Sequence, residues 1–215
     1  DVVYLAASDF TTPLTLFALD LNVMELTVMR RQPQQFDSDG INVQQFWTTS
    51  ADGERIPYFH VGKNATPDTP TLVYAYGGFG IPELPHYLGS VGKYWLEEGN
   101  AFVLANIRGG GEFGPRWHQA AQGISKHKSV DDLLAVVRDL SERGISSPKH
   151  IGLQGGSNGG LITAAAFVRE PQSIGALVCE VPLTDMIRYP LLSAGSSWTD
   201  EYGNPQKYEV CKRWL

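Results

Sequence analysis

The residues with the clearest chemical meaning are Gly155-Gly156-Ser157-Asn158-Gly159, which match the pattern Gly-x-Ser-x-Gly. In this pattern a serine occupies a sharp turn between a strand and a helix, and its hydroxyl projects as a nucleophile. Small neighbours are needed because the chain passes close to itself at such a turn. The helix N-terminus beside Ser157 also presents free backbone N–H groups, which favour developing negative charge.

The segments on either side favour a catalytic serine over a plain glycine-rich turn. Residues 150–154 are predicted as a short buried strand, and residues 161–168 are predicted as a buried, alanine-rich helix. The chain has 23 glycines, so the pattern alone could arise in a flexible loop. A strand before the motif and a helix after it therefore indicate nucleophilic catalysis by Ser157.

A serine nucleophile needs a base, and the chain has five histidines that all precede Ser157. Hydrolases built on this strand–turn–helix motif place their acid and their histidine after the serine. We therefore interpret the histidines as structural or surface residues. Asp185 follows the serine by one strand, and we expect it to cap the next helix rather than to act as the acid. The chain alone is predicted to be inactive.

The first elements along the chain have the pattern of antiparallel strands. Residues 2–7 and 14–21 form one predicted pair, and residues 43–49 and 55–61 form another. Asp52-Gly53 joins the second pair, and Asp-Gly between alternating segments is typical of a hairpin.

From Thr71 onward the pattern changes to alternating strands and helices. Apolar strands are predicted at 71–76, 101–107 and 176–181. A helix is predicted to begin at a capping box formed by Ser129 and Asp132. This alternation predicts an α/β fold, with a mostly parallel sheet covered by helices on both faces.

Composition narrows the class of protein. The 215 residues suit one domain with a sizeable core, or one domain plus part of another. A net charge of −6 argues against a nucleic-acid or anionic-membrane surface. No apolar run approaches the roughly 20 residues of a membrane helix. The sequence shows no secretory signal, and Cys179 and Cys211 form no disulfide or metal pattern. The predicted location is therefore cytoplasmic, with the periplasm as the alternative.

Two further segments have competing interpretations. Residues 109–114 fit the dinucleotide pattern G-x-G-x-x-G, but Glu112 would place negative charge beside a pyrophosphate, and no acidic strand end follows about 20 residues later. These glycines are instead predicted to let the loop pack tightly near the floor of the site. The aromatic stretch 196–203 fits core packing or a substrate pocket, and its residues alone favour core.

Four motifs occur in one order along the chain: Tyr74-Ala75-Tyr76-Gly77-Gly78-Phe79, residues 105–114 followed by Trp117-His118, residues 155–161, and Trp198-Thr199-Asp200-Glu201-Tyr202. Together they resemble the prolyl oligopeptidase family of serine peptidases over residues 70–205. The resemblance implies a partial α/β-hydrolase domain preceded by the end of a β-propeller. Residues 1–30 would be the propeller remnant and linker, and residues 31–215 the catalytic domain, incomplete at its C-terminus.

The resemblance also implies three catalytic roles. Ser157 would be the nucleophile, and the backbone N–H of Asn158 and the hydroxyl of Tyr76 would be the two oxyanion donors. The implied reaction is hydrolysis of short peptides on the carboxyl side of proline, through an acyl-enzyme on Ser157. No cofactor, metal, nucleic acid or membrane is implied.

A substrate pocket is implied as well. Trp198 would stack on the pyrrolidine ring of the substrate proline, with Phe79 and Tyr202 completing the pocket. Asp200 and Glu201 also resemble the acidic pocket residues of oligopeptidase B, a relative that cleaves after arginine or lysine. Trp198 and the Gly-Gly-Phe segment favour proline, and basic specificity is the alternative.

The family's aspartate and histidine would lie beyond Leu215. The implied partners are therefore short peptide substrates and the remaining part of the same polypeptide, namely the propeller and the rest of the hydrolase domain. Alone, the chain would leave an apolar sheet edge uncovered at residues 176–181, and we expect it to aggregate or to need a partner piece. An inert fragment or binding module is the second alternative.

Overall fold

The structure is a computed structural model that describes residues 1–207. Its strands are β1 (Val2–Ala7), β2 (Thr15–Asp20), β3 (Glu25–Arg31), β4 (Asn42–Thr49), β5 (Arg55–Gly62), β6 (Thr71–Ala75), β7 (Ala101–Ala105), β8 (Ile151–Gly156) and β9 (Ala176–Glu180). Its α-helices are α1 (Gly89–Val91), α2 (Pro115–Gln119), α3 (His127–Glu142), α4 (Asn158–Arg169) and α5 (Thr199–Tyr202). A π-helical turn at Gly92–Leu96 continues α1. No helix in the described part of the chain is long and apolar enough to cross a bilayer.

The first three strands form a separate antiparallel sheet in the order β1-β2-β3. The pairing of β1 with β2 confirms the first predicted strand pair. The sequence pattern did not predict β3, whose residues are exposed along its whole length. β3 ends at Arg31, next to the proposed boundary between residues 30 and 31, and the assignment of this segment to a propeller stays a prediction.

The second sheet has the order β4-β5-β7-β6-β8-β9. Strands β4, β5 and β7 pair antiparallel, while β7, β6, β8 and β9 are parallel to one another. The β4–β5 hairpin is the one predicted, and Gly53 in its turn has the positive φ of 88° that such turns favour. The sheet is therefore mixed, with a parallel half that carries the serine.

Alternate residues of the central strands face two apolar layers, as expected for a sheet buried on both sides. Val73 and Val103 face a layer that includes residues of α3 and α4. Leu72 and Phe102 face the opposite layer, which contains Leu96 of the π-helical turn. This arrangement confirms the predicted α/β class with helices on both faces.

The predicted capping box at Ser129 is wrong. α3 begins two residues earlier, at His127, and the Ser129 hydroxyl donates to the carbonyl of Arg108 at 2.8 Å. Asp132 is fully buried and accepts hydrogen bonds from Arg108 instead of capping the helix. Both side chains could cap a helix, but here they form hydrogen bonds with Arg108, in the segment after β7.

Arg108, three residues after the end of β7, is the buried centre of a charge cluster. Only 2% of it is exposed, and its guanidinium contacts Asp132 at 2.6 Å and Asp52 at 2.7 Å. It also lies 3.3 Å from the Ser50 hydroxyl. The cluster therefore joins the β4–β5 turn, the segment after β7 and α3.

Replacing Arg108 with methionine is expected to lower the free energy of unfolding by about 3–5 kcal/mol, because the buried Asp132 carboxylate loses its counter-charge. Urea unfolding of the full-length polypeptide measures the change in the free energy of unfolding. The matched control is Arg138→Met, which removes an exposed arginine paired with Glu170 and should cost no more than about 1 kcal/mol. Equal losses in the two variants would contradict this account of the cluster.

Candidate active site

Ser157 makes the whole connection between β8 and α4, since β8 ends at Gly156 and α4 begins at Asn158. Its backbone has φ 54° and ψ −115°, a sparsely populated conformation for a residue with a side chain. Such strain is characteristic of functional positions that the surrounding structure holds in place. The residue is exposed, so its hydroxyl is accessible to a substrate.

Close backbone approaches explain the glycines of the motif. A Cβ at Gly155 would lie 2.3 Å from the carbonyl oxygen of Gly159. A Cβ at Gly159 would lie 2.4 Å from the carbonyl oxygen of Ala75 in the neighbouring β6. Neither position has room for a side chain, so the motif reflects the packing of α4 onto the sheet as well as the turn itself.

Tyr76 and Asn158 border the serine from two different strand ends. Tyr76 directly follows β6 and is within hydrogen-bonding reach of the Ser157 side chain. Asn158 is the first residue of α4, where backbone N–H groups have no partner within the helix. The structure thus brings the three predicted catalytic residues together.

The Tyr76 hydroxyl is suited to donate a hydrogen bond. Burial raises its pKa, and the negative charges of Glu201 and Glu83 raise it further, against an opposing hydrogen bond with Ser157. The phenol therefore stays protonated at neutral pH, and a protonated phenol is a directional donor.

The Asn158 side chain contacts both a predicted catalytic residue and a predicted pocket residue, which the sequence did not reveal. Its Nδ2 donates to the Tyr76 carbonyl at 2.5 Å, and its Oδ1 accepts from the Tyr202 hydroxyl at 3.0 Å. Asn158 is fully buried. Asn158 thus contacts one residue of each predicted group.

The three predicted pocket residues belong to one apolar cluster. Phe79 and Trp198 are half-buried and pack against a buried core that includes Tyr202 and Leu161 of α4. The Phe79 and Tyr202 rings meet edge to face, with centroids 5.7 Å apart. The aromatic stretch is therefore partly core, at Tyr202, and partly a surface, at Trp198.

The glycine-rich segment 109–114 packs beneath the loop that carries Tyr76 and Phe79. A Cβ at Gly109 would lie 2.2 Å from the Gly77 carbonyl oxygen. The Gly109 carbonyl also accepts a hydrogen bond from the Gly80 amide at 3.1 Å. This close contact confirms the packing role predicted for these glycines.

No histidine forms a hydrogen bond with Ser157 within residues 1–207. Four of the five contact other groups, namely the Glu201 carboxylate, the Ser147 hydroxyl or backbone carbonyls. The fifth, His60, is buried in β5, and burial lowers its pKa. Asp185 accepts a hydrogen bond from the backbone N–H of Arg188 at 3.0 Å. The following 3₁₀ turn has Arg188 at its N-cap position and no side-chain cap, so the capping role of Asp185 stays a prediction.

Glu201 is a buried, paired carboxylate whose surroundings the sequence did not predict. It is 3% exposed, and Lys126, its partner at 2.6 Å, is 2% exposed. Burial acts to raise the pKa of Glu201, but the charge and hydrogen bond of Lys126 hold it below its usual value. Burial lowers the pKa of Lys126, and Glu201 opposes that shift. The sequence had marked Glu201 only as a candidate acidic pocket residue, through its resemblance to oligopeptidase B.

Comparison with known proteins identifies the family. The model of the prolyl oligopeptidase family matches residues 88–214, which is more than half of the chain. The chain belongs to this family. An uncharacterized peptidase of Sinorhizobium fredii is 43% identical over 208 residues, which are 95% of this chain and 29% of the relative. The prolyl endopeptidase of Elizabethkingia meningoseptica is 31% identical over 207 residues, again 95% and 29%.

Solved structures of the family share this fold. A post-proline cleaving enzyme from Rickettsia typhi matches with a TM-score of 0.91 and 39% identity, covering 99% of this chain and 31% of that one. Oligopeptidase B from Trypanosoma brucei matches with a TM-score of 0.89 and 25% identity, with the same coverage. These matches confirm the predicted family and fold class. The chain spans about 30% of the length of its relatives.

Proposed function

We propose that this chain supplies the nucleophile, the oxyanion donors and the proline pocket of a serine endopeptidase that hydrolyses short peptides after proline. The observation that carries the proposal is the convergence at one site of an exposed, strained Ser157, the protonated Tyr76 hydroxyl and an aromatic pocket. The names of relatives from Elizabethkingia meningoseptica and Rickettsia typhi support the same activity.

In the proposed reaction the Ser157 oxygen bonds to the substrate carbonyl carbon and gives up its proton to a histidine. The carbonyl electron pair moves to the oxygen, where the Asn158 N–H and the Tyr76 hydroxyl donate hydrogen bonds to it. Collapse of this intermediate breaks the C–N bond, and the amine leaves with the proton. Water then hydrolyses the acyl-enzyme and regenerates the serine.

The histidine and its orienting aspartate are proposed to come from the remaining part of the same polypeptide. The separate hydrogen-bond partners of the chain's own histidines support this view. We also propose that the chain alone lacks turnover, and that the whole protein works in the cytoplasm on short peptides.

The surroundings of Glu201 favour proline over a basic residue in the pocket. Its carboxylate is buried against Lys126 and His118, so its charge is already balanced. A substrate arginine would have to compete with these internal partners, whereas the apolar faces of Phe79 and Trp198 suit a pyrrolidine ring. Asp200 is exposed on α5 and is the residue on which cleavage after basic residues would depend.

Fluorogenic peptides that differ only in proline or arginine before the scissile bond test the proposal in the full-length polypeptide. We expect kcat/KM to favour proline by at least about 100-fold. Trp198→Ala should narrow this preference by raising KM for the proline peptide. Faster cleavage after arginine would support the oligopeptidase B alternative, and hydrolysis of simple esters without peptides would contradict a peptidase.

A further inference from the structure

Lys126 and Glu201 form a buried ion pair beside the proposed pocket, and the partly exposed His118 also contacts Glu201. The Lys126 ammonium and the His118 Nε2 each lie 2.6 Å from the Glu201 carboxylate, on different oxygens. Lysine and glutamate are rarely this buried, and removing them from water is costly unless their partners are well placed. The position of this ion pair beside the proposed site indicates that it helps to hold the residues of that site in place.

The Glu201 carboxylate holds two parts of the site together. Besides Lys126 and His118, it accepts a hydrogen bond from the backbone N–H of Phe79 at 3.0 Å. Phe79 has a positive φ of 56°, which is unusual for a phenylalanine and requires support from its surroundings. The loop after β6 is therefore attached directly to helix α5.

Lys126 contacts the same loop at a second point. Its ammonium donates to the Gly77 carbonyl at 3.0 Å, one residue after Tyr76. It also lies 5.6 Å from the centre of the Tyr202 ring. The ion pair thus contacts this loop at two points, Gly77 and Phe79, both of which closely follow Tyr76.

We propose that Glu201 is a positioning residue that holds the Tyr76 hydroxyl in a fixed position relative to the aromatic pocket. Lys126 and His118 hold the Glu201 carboxylate in place. This inference rests on the proposed function, because it assigns Tyr76 to the oxyanion. Oxyanion donors act only if they are already in place when charge develops, and small displacements of a donor lower the reaction rate strongly. Glu201 therefore acts through Tyr76 and does not itself touch the substrate.

A double-mutant cycle between Glu201→Gln and Tyr76→Phe tests the inference in the full-length polypeptide. Rates are normalised to serines titrated with a fluorophosphonate, so that loss of folded protein does not count. Glu201→Gln is expected to lower kcat/KM about 10- to 100-fold, and Tyr76→Phe about 100- to 1000-fold. If Glu201 acts through Tyr76, the double variant loses about tenfold less than the product of the single losses.

The matched control is Glu142→Gln, the same change at an exposed position of α3, which should alter neither kcat/KM nor the effect of Tyr76→Phe. If Glu201→Gln does not fold, His118→Gln removes only the partly exposed partner and should show coupling of about twofold or more. If the losses caused by Glu201→Gln and Tyr76→Phe are independent of each other in an active enzyme, this inference is overturned but the proposed function stands. A wild-type protein that cleaves neither peptides nor esters would overturn the proposed function and this inference with it.

Discussion

Replacement of Ser157 by alanine is expected to lower kcat for peptide hydrolysis by about a millionfold. The reason is that no other atom at the elbow can form the acyl-enzyme, while the backbone that positions the site is unchanged. Fluorogenic peptide assays of the full-length polypeptide measure the loss. Intact-mass detection of fluorophosphonate adducts should show one adduct per wild-type polypeptide and none on the variant.

The matched control for Ser157→Ala is Ser90→Ala, an exposed serine at α1. This variant should keep wild-type kcat and wild-type labelling. A fluorophosphonate adduct on the Ser157→Ala variant, or residual activity within tenfold of wild type, would show that the nucleophile is another residue.

Replacement of Tyr76 by phenylalanine is expected to lower kcat by about 100- to 1000-fold with little change in KM. The hydroxyl is used only once the substrate carbonyl becomes an oxyanion, whereas the ring and the loop around it are kept. A loss of kcat without a rise in KM is therefore the signature of a donor that acts in the transition state. Steady-state kinetics on a proline peptide, per titrated serine, measure both constants.

Tyr74→Phe is the matched control, because it removes a hydroxyl from a half-buried tyrosine two residues earlier, inside β6. Its kcat should stay within about twofold of wild type. A rise in KM at unchanged kcat in Tyr76→Phe would mean that the hydroxyl binds ground-state substrate, and the oxyanion role would have to be abandoned.

Local patterns were sufficient for most of the fold. The β4–β5 hairpin follows from Asp-Gly between alternating strands, and the elbow follows from glycines between a strand and a helix. The sequence pattern gave a wrong prediction at Ser129. A serine followed by an acidic residue is typical of a helix cap, but the Ser129 hydroxyl instead contacts Arg108, which lies 21 positions away. Local patterns also missed β3, which pairs with β2 at the edge of the first sheet.

The amino-acid sequence by itself determined the turn that carries Ser157 and most of the order of strands and helices, because each depends on residues within a few positions of one another. The family followed from motifs that stand in one order along the chain. The tertiary structure decided how the site is held together. Glu201 contacts Phe79 across 122 positions and Lys126 across 75, and no local pattern encodes such contacts. They form only when α5 packs against the loop after β6, where burial makes each charge depend on its partner.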